Sequence, residues 1–518
     1  MLVQVNTPQV EVLQGVMDAT KVAINSFYKD SKNLINNQIV EKETAKDFSH
    51  RYLMGTIGIN IENQFRNHNR VETDAEAFMC ELFETYITGN QGDNVPYYFL
   101  SDGRNAVRVF NGRYFERVGQ EEFGLYIKRV LFDANTSRVY TQKSHKPIAD
   151  EVLKELYYTP DRKWKPQGRY LIFNNGVLDT EEMKLLPFSE EYQTNAIFDV
   201  DFNPDAKCPT FQRCLDDALD KEEQMVLQEI CGYMLCPDSR FEKLPVLYGS
   251  GRNGKSAILR AVSYALGEDR VSHFNLAEMT NPNGIAIASS IGKIANICYD
   301  SGNMIKVDSE SVFKMLVSGE PLKAKVLYQQ PTETTEYPKT IIAVNELPQS
   351  ADFSQGFYRR FLLLPFVREI PIEKVNVNLF DDLRTEQIGI LLWIIKGYKR
   401  LMNNGRFTEC DSIKDAMEEY RISSDPVATF LTNQGWETAS ETTEFKTMYR
   451  LFTEWHKEFG GGGKLMSGVK FGKRLRFFGY KVDKGRGNKT FVWAHQLLPI
   501  EDGKLPTYTT YSDDECAF

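Results

Sequence analysis

The chain has 518 residues, 42% of them hydrophobic and 26% charged, with a formal net charge of −9 at pH 7. At roughly 150 residues per domain, that length accommodates about three domains, each able to bury a core of its own. No run of about 18 apolar residues offers a membrane span, and the acidic balance excludes a protein that coats its whole surface in nucleic acid, so any DNA contact must be local.

The N-terminus, MLVQVNTPQVEVLQG, lacks the basic flank and apolar core of a secretory signal, which points to the cytoplasm. None of the eight cysteines stands in a CxxC pair. Reduced, buried thiols fit better than a disulfide framework. Cys208 with Cys214 and Cys231 with Cys236 are the closest pairs, but no histidine lies at ligand spacing and no zinc site is expected.

Residues 1–95 read as a helical region of unknown role, with Val10, Leu13, Val16, Met17 and Thr20 recurring at three/four spacing and Glu76 to Tyr86 behaving similarly. The turn formers Gly89 to Pro96 mark a boundary. Beyond it, Ala106 to Phe110, Asn111-Gly112 and Arg113 to Val118 predict a hairpin closed by a type I′ turn. A mixed α/β accessory domain over 96–238 follows, with a strand and turn at Tyr170 to Asp179 and a helical segment from about Phe211 to Met234. Residues 239–405 alternate strands (Leu244 to Tyr248, Lys293 to Tyr299, Thr340 to Val344, Phe361 to Phe366) with helices, which predicts an α/β domain on a mainly parallel sheet. Short helices and then the strands Tyr480 to Asp483 and Thr490 to Trp493, joined by Lys484 to Lys489, suggest a winged-helix module over 425–498. An acidic tail, 499–518, closes the chain.

The chemistry concentrates in Gly249-Ser250-Gly251-Arg252-Asn253-Gly254-Lys255-Ser256, which follows an apolar strand and opens a helix. In that context the glycines let backbone N–H groups close on phosphate oxygens, Lys255 reaches the β- and γ-phosphates, and Ser256 holds Mg²⁺. The helix N-terminus adds its dipole. The strand Lys293 to Tyr299 ends in Asp300, placed to coordinate the metal or its waters; a solvated turn aspartate is the alternative, and Asp308 and Glu310 are rivals. Thr340 to Val344 delivers Asn345, whose amide could orient an attacking water. Arg359-Arg360 precedes the last apolar strand; a surface ion-pair former is the alternative to a guanidinium that completes a neighbouring subunit's site.

Taken together, the loop 249–256, the strand ending at Asp300, Ser318 to Tyr328, Ala343 to Pro348 and Gly356 to Phe366 resemble superfamily 3 helicases. The resemblance is greatest to the phage/plasmid primase-helicase family related to the poxvirus primase-helicase. Asn175 to Asp179, Phe202 to Phe211 and Leu227 to Leu235 resemble that family's accessory domain, so the likeness spans about residues 100–495. It implies an AAA+-type P-loop ATPase that hydrolyses ATP with Mg²⁺ and translocates 3′ to 5′ on single-stranded DNA as a hexameric ring. By position it implies Lys255 and Ser256 as phosphate and metal ligands, Asp300 as the acidic end of the second motif, and Asn345 as the sensor. Arg360, with Arg359 as runner-up, is implied as the finger acting in trans, and residues 318–330 as a hairpin in the ring's channel. One departure is visible: the family usually has Glu where Asp300 stands, and Tyr299 and Ser301 supply no second acid. Which group activates water stays open.

Lys323, Lys325 and Tyr328 combine cations with an aromatic face, as backbone tracking and base stacking require. From Lys464 to Lys489 the cations Lys470, Lys473, Arg474, Arg476, Lys481, Lys484 and Arg486 face one acid, Asp483. This is an electrostatic footprint for phosphate, with a solvated face as the alternative. The acidic tail resembles the tips by which some replication proteins recruit partners. The expected function is an ATP-dependent replicative DNA helicase of a phage, plasmid or other mobile element, acting on single-stranded and forked DNA. The alternative is an origin-binding initiator ATPase that assembles on duplex DNA without processive unwinding. No primase activity is expected, since Asp199-Val-Asp201 lies in the accessory region and about 90 leading residues are too few for a polymerase-like domain.

Overall fold

The computed structural model describes residue 87 and residues 98–103, 105–133, 145–299, 309–326, 331–345, 355–371, 376–423, 425–459, 465–485 and 489–496. The expected helices of 10–20 and 76–86, the boundary at 89–96 and the acidic tail lie outside the described residues.

Strands β1 (Phe99–Ser101), β2 (Ala106–Phe110) and β3 (Phe115–Gly119) form an antiparallel meander, followed by α1 (Gln120–Asp133) and α2 (His145–Tyr158). The hairpin stands where the sequence predicts it, but its turn differs. Phe110 pairs with Phe115, leaving four residues in the loop rather than two. The Asn111 side-chain oxygen accepts from the backbone N–H groups of Arg113 and Tyr114, both at 2.9 Å, so the asparagine organises the turn through its side chain instead of a left-handed backbone. A second meander comprises β4 (Tyr170–Phe173), β5 (Gly176–Asp179) and β6 (Lys184–Leu186).

The helical segment expected over 211–234 is two helices, α3 (Pro209–Ala218) and α4 (Lys221–Tyr233). Asp220 breaks it with a capping box: its carboxylate accepts from the Glu223 N–H at 2.9 Å, and the Glu223 carboxylate accepts from the Asp220 N–H at 3.0 Å. Helix α3 carries no side-chain cap from its own N-cap residue, Cys208; Glu386 instead accepts from the N–H groups of Thr210 and Phe211 at 2.8 and 2.9 Å. A carboxylate at a helix N-terminus is where the dipole favours one.

Next come β7 (Leu244–Tyr248), α5 (Lys255–Leu266), β8 (Val271–Ser272), α6 (Leu276–Met279), α7 (Ile285–Ser290), β9 (Ala295–Cys298) and α8 (Glu310–Ser318). Then follow β10 (Leu322–Ala324), β11 (Thr332–Thr334), β12 (Lys339–Val344), α9 (Gln355–Tyr358) and β13 (Phe361–Pro365). Five of these strands make one parallel sheet in the order β13-β7-β12-β9-β8. The chain runs from β7 to the far edge, returns through β9 and β12, and passes β7 to reach β13. Strand β7 therefore lies where the winding reverses, and ligands of open α/β sheets bind outside the carboxyl ends of the strands at such a switch point.

Helices α10 (Leu379–Thr385), α11 (Gln387–Asn404) and α12 (Asp411–Ser423) complete the central unit. One apolar core runs from Phe173 and Phe198 through Phe211, Leu227 and Ile230 to Leu247, Ile297, Ile394 and Ile395. The boundary expected at 238/239 thus divides no core: α4 lies directly on α11. They cross at two glycines, since a Cβ on Gly232 would meet the Tyr398 backbone and one on Gly397 the Gln228 carbonyl. Beside the crossing, Glu229 is fully buried and accepts from Arg400 Nε (2.6 Å), the Thr408 N–H and the Thr408 hydroxyl (2.7 Å each).

A separate core gathers α13 (Pro426–Asn433), β14 (Trp436–Glu444), α14 (Phe445–Phe459), α15 (Gly468–Phe477), β15 (Val482–Lys484) and β16 (Thr490–Gln496) around Phe430, Phe452, Phe471 and Val492. Its sheet order is β14-β16-β15. Sequence periodicity does not reveal β14, because Glu437 to Glu444 is almost wholly polar and is held by its pairing with β16.

Candidate functional site

Strand β7 is apolar and buried up to Leu247, and α5 is an amphipathic helix with Ile258, Leu259, Val262 and Leu266 turned into the core. Between them residues 249–254 form the phosphate-binding candidate. Gly254 is the N-cap of α5 at φ +84°, a conformation that favours glycine. The loop is fastened on both sides: the Gly249 N–H donates to the Val344 carbonyl (3.2 Å), and the Ile370 N–H donates to the Arg252 carbonyl (2.9 Å). The buried Asn253 amide donates to the Phe366 carbonyl at 3.0 Å.

Lys255 is itself buried, and its ammonium is turned into the loop, donating to the carbonyls of Gly249 (2.7 Å) and Ser250 (3.3 Å) and to Asn253 Oδ1 (2.9 Å). A lysine held on neutral carbonyls, at the mouth of a 12-residue helix, is a cation poised for exchange onto phosphate oxygens. Ser256 is exposed on the first turn of α5. Its hydroxyl at the helix mouth is an oxygen ligand of the hard kind that Mg²⁺ takes, and the buried ammonium beside it is a partner for the phosphates rather than for the metal. Gly251 is exposed, and Arg252, at φ +59°, faces Glu369 at 3.9 Å across solvent.

Asn345 follows β12, is exposed, and lies beside the loop through the pairing of Val344 with Tyr248. Strand β9 ends at Cys298 opposite Ile342, at the same carboxyl edge. Tyr299 follows it, its hydroxyl 3.1 Å from that of Ser263, and burial raises its pKa. Asp300 and its rival Asp308 lie outside the described residues; Glu310 begins α8.

The two arginines occupy different environments. Arg360 is 9% exposed; its guanidinium donates to the Gly356 carbonyl and, at 3.2 Å, to the Ser318 hydroxyl. Arg359 is exposed, with Glu242 at 3.4 Å. Both precede β13, which runs five residues parallel to β7, so at about 3.3 Å per residue they stand about 17 Å from their own chain's loop.

Strands β10 and β11 pair antiparallel, Leu322 with Thr334 and Ala324 with Thr332, so the hairpin reaches beyond the expected 318–330. Lys323 is exposed opposite Glu333, and Lys325 is half-buried with its N–H on the Gly284 carbonyl at 3.0 Å. Tyr328 lies outside the described residues. On α15, Lys470, Lys473 and Arg476 are exposed at three-residue spacing, and Lys484 is exposed on β15. Arg474 is occupied differently: it pairs with Asp425, which is fully buried and caps α13 by accepting from the Val427 N–H at 2.8 Å. Arg474 also covers Phe477 at 4.6 Å. Arg486 lies outside the described residues.

Three groups that sequence reasoning missed support the site. Ala218 and Ile370 wall Gly254, and Glu336 anchors the hairpin root to Arg108 of the first meander. No spacing signal marks them, because each acts on a residue outside its own element of secondary structure. Among the described residues no group of three or more His, Cys, Asp and Glu could hold a metal, and no helix is long and apolar enough to cross a membrane.

Residues 100–220 match the family described as D5 N terminal like, and residues 247–360 match a family of unknown function, DUF5906. A protein of Acanthamoeba polyphaga mimivirus named "Putative helicase" is 22% identical over 366 residues, 67% of this chain and 36% of the relative. The chain therefore spans about a third of that relative's length. Two apo structures of the NrS-1 C-terminal region, at 11% and 12% identity, cover 76% of this chain and 95% of theirs, with TM-scores of 0.40 and 0.36. Its D5 N-terminal-like region and its helicase relative support a likeness to the phage-type primase-helicase family.

Proposed function

We propose that the protein is an ATP-dependent replicative DNA helicase, an AAA+-type superfamily 3 enzyme that works as a ring and translocates 3′ to 5′ on single-stranded DNA. The observation that carries this reading is the buried Lys255 ammonium, resting on loop carbonyls at the switch point of a parallel sheet, with Asn345 on the adjacent strand. Lys255 moves onto the β- and γ-phosphates, the loop N–H groups close on their oxygens, and Ser256 with Asp300 holds Mg²⁺. A Mg²⁺ held by these residues would offset the charge of the phosphates. Asn345 orients the attacking water.

Because Arg359 and Arg360 stand at the opposite end of the sheet from their own loop, a guanidinium can complete only a neighbouring subunit's site, which supports a homo-oligomer, read here as a hexamer. The exposed side chain makes Arg359 the better finger and leaves Arg360 to hold the element. The hairpin with Lys323 and Lys325 contacts the strand in the channel. The C-terminal unit is read as a winged helix, with α15 and Lys484 presented to duplex DNA; this basic face is the observation that favours the alternative of an origin-binding initiator.

A forked-duplex assay with ATP separates the two. The helicase reading expects strand displacement by the parent and none by Lys255→Ala. DNA-stimulated hydrolysis without displacement by the parent would refute it and favour the initiator.

A further inference from the structure

A cavity of about 330 Å³ lies between the amino-terminal edge of the parallel sheet and the accessory layers. Its walls come from β1, the segment before β4, the end of α4 and the starts of β9 and β12. Strand β12 runs from Lys339 to Val344, so at about 3.3 Å per residue this cavity is about 17 Å from the phosphate-binding loop, on the opposite edge of the sheet. Its size is at the low end for ligand pockets, and such pockets favour domain junctions.

The lining chemistry is cationic and aromatic. Lys163, Lys293 and Lys339 line the space. Two carboxylates line it as well, but they are engaged: Asp102 with Arg108 (2.9 Å) and Arg117 (3.0 Å), and Glu336 with Arg108. Lys339 donates to the Cys236 carbonyl and lies 5.7 Å from the Tyr233 ring, and burial pushes its pKa down to about 8. A desolvated ammonium whose hydrogen bond goes to a neutral carbonyl gains most from an incoming anion. The rings of Tyr157, Trp164 and Tyr337 share the lining, and Asn195 there has a buried amide oxygen without a hydrogen-bond partner. A simple inorganic anion would leave the rings unused, and an apolar ligand would leave the ammonium unpaired. A nucleoside phosphate satisfies both, since every base has a face to stack and its edge carries donors for an amide oxygen.

We propose that this cavity binds a single nucleoside phosphate unit, its phosphate on Lys339 and Lys163 and its base among Trp164, Tyr157 and Tyr337, separately from the phosphate-binding loop. The site adjoins the root of the β10–β11 hairpin. The Tyr337 hydroxyl donates to the carbonyls of Glu320 (2.7 Å) and Met315 (3.2 Å), just before β10, and Glu336 ties the other end of the hairpin to the first meander. An occupant therefore touches the residues that hold the hairpin in place. The unit is either a free nucleotide or one residue of the DNA strand, and both present the same chemistry. The proposal stands apart from hydrolysis at Lys255.

The test uses the full chain carrying Lys255→Ala, which suppresses binding at the loop, with 8-azido-ATP in one arm and an iodouracil-substituted single strand in the other. After irradiation, labelled peptides are mapped by mass spectrometry. Label on the peptides holding Tyr157, Trp164 or Tyr337 is expected, falling at least about tenfold in Lys339→Met and Lys163→Glu, as loss of one charge-assisted phosphate contact implies. Labelling by azido-ATP alone identifies a free nucleotide; labelling by the strand identifies a residue of DNA. Lys163 is exposed, so its variant decides the matter should Lys339→Met fail to fold. Absence of label on these peptides in both arms, or undiminished label in folded Lys163→Glu, overturns the proposal.

Discussion

The adjacent arginines offer the sharpest separation of structure from catalysis. Arg360→Ala removes a buried guanidinium and its hydrogen bonds to Gly356 and Ser318. Hydrogen bonds to a charged group contribute about 1.5–3 kcal/mol each, and relief of the buried charge offsets part of that, leaving a net cost of about 2–4 kcal/mol. For a unit of 150–250 residues this lowers the melting temperature by about 5–15 °C. Arg359 is 65% exposed with one 3.4 Å ion pair, so Arg359→Ala costs under about 1 kcal/mol after solvent screening. Its effect falls on turnover instead, since a finger supplied in trans is worth about 10³ or more in kcat. The assay pairs calorimetry with steady-state hydrolysis, and then mixes Arg359→Ala subunits with Lys255→Ala subunits. Mixing restores hydrolysis if each variant lends the other its intact half of a shared site. A stable Arg360→Ala that loses turnover, beside an Arg359→Ala that keeps it, refutes the assignment and returns the finger to Arg360.

Other outcomes follow from the same geometry. Glu229→Gln leaves Arg400 without its carboxylate at the α4–α11 crossing and should destabilise the central unit by about 3 kcal/mol, read as a lowered melting temperature. Lys473→Ala should lower the salt slope of duplex binding by about 1 with melting unchanged; Arg476→Ala should lower the slope equally but also melting slightly, since Arg476 donates to the Val482 carbonyl at 2.9 Å; Arg474→Ala, by orphaning buried Asp425, should lower melting most. Burial raises the thiol pKa of Cys208 and Cys214 to about 11 and that of Cys231 further still. The thiolate is the nucleophile, and its fraction grows only as pH rises towards those values, so peptide mapping should find these three unalkylated by iodoacetamide in the native protein at pH 8 and modified once it is unfolded.

The amino-acid sequence by itself determines the elements whose cause is local. The phosphate-binding loop is legible because glycine, lysine and serine chemistry is confined to eight consecutive residues between an apolar strand and an amphipathic helix. The parallel strands are legible because fully buried strands read as continuous apolar runs. The capping box at Asp220 is equally local, yet the apolar pattern running through it reads as a single helix. Tertiary structure decided what depends on distant partners. Strand β14 exists only by pairing with β16, and Glu386 caps a helix more than 170 residues earlier. Arg359 and Arg360 carry the same charge and differ only in what packs around them. In the sequence Arg474 is one more cation on a basic helix, and only the fold brings Asp425 to it. The accessory region and the ATPase sheet share a core because Gly232 and Gly397, far apart in the chain, let two helices touch backbone to backbone. Local patterns act within a turn or a strand, while burial is set by the whole chain, and a side chain's role follows its burial.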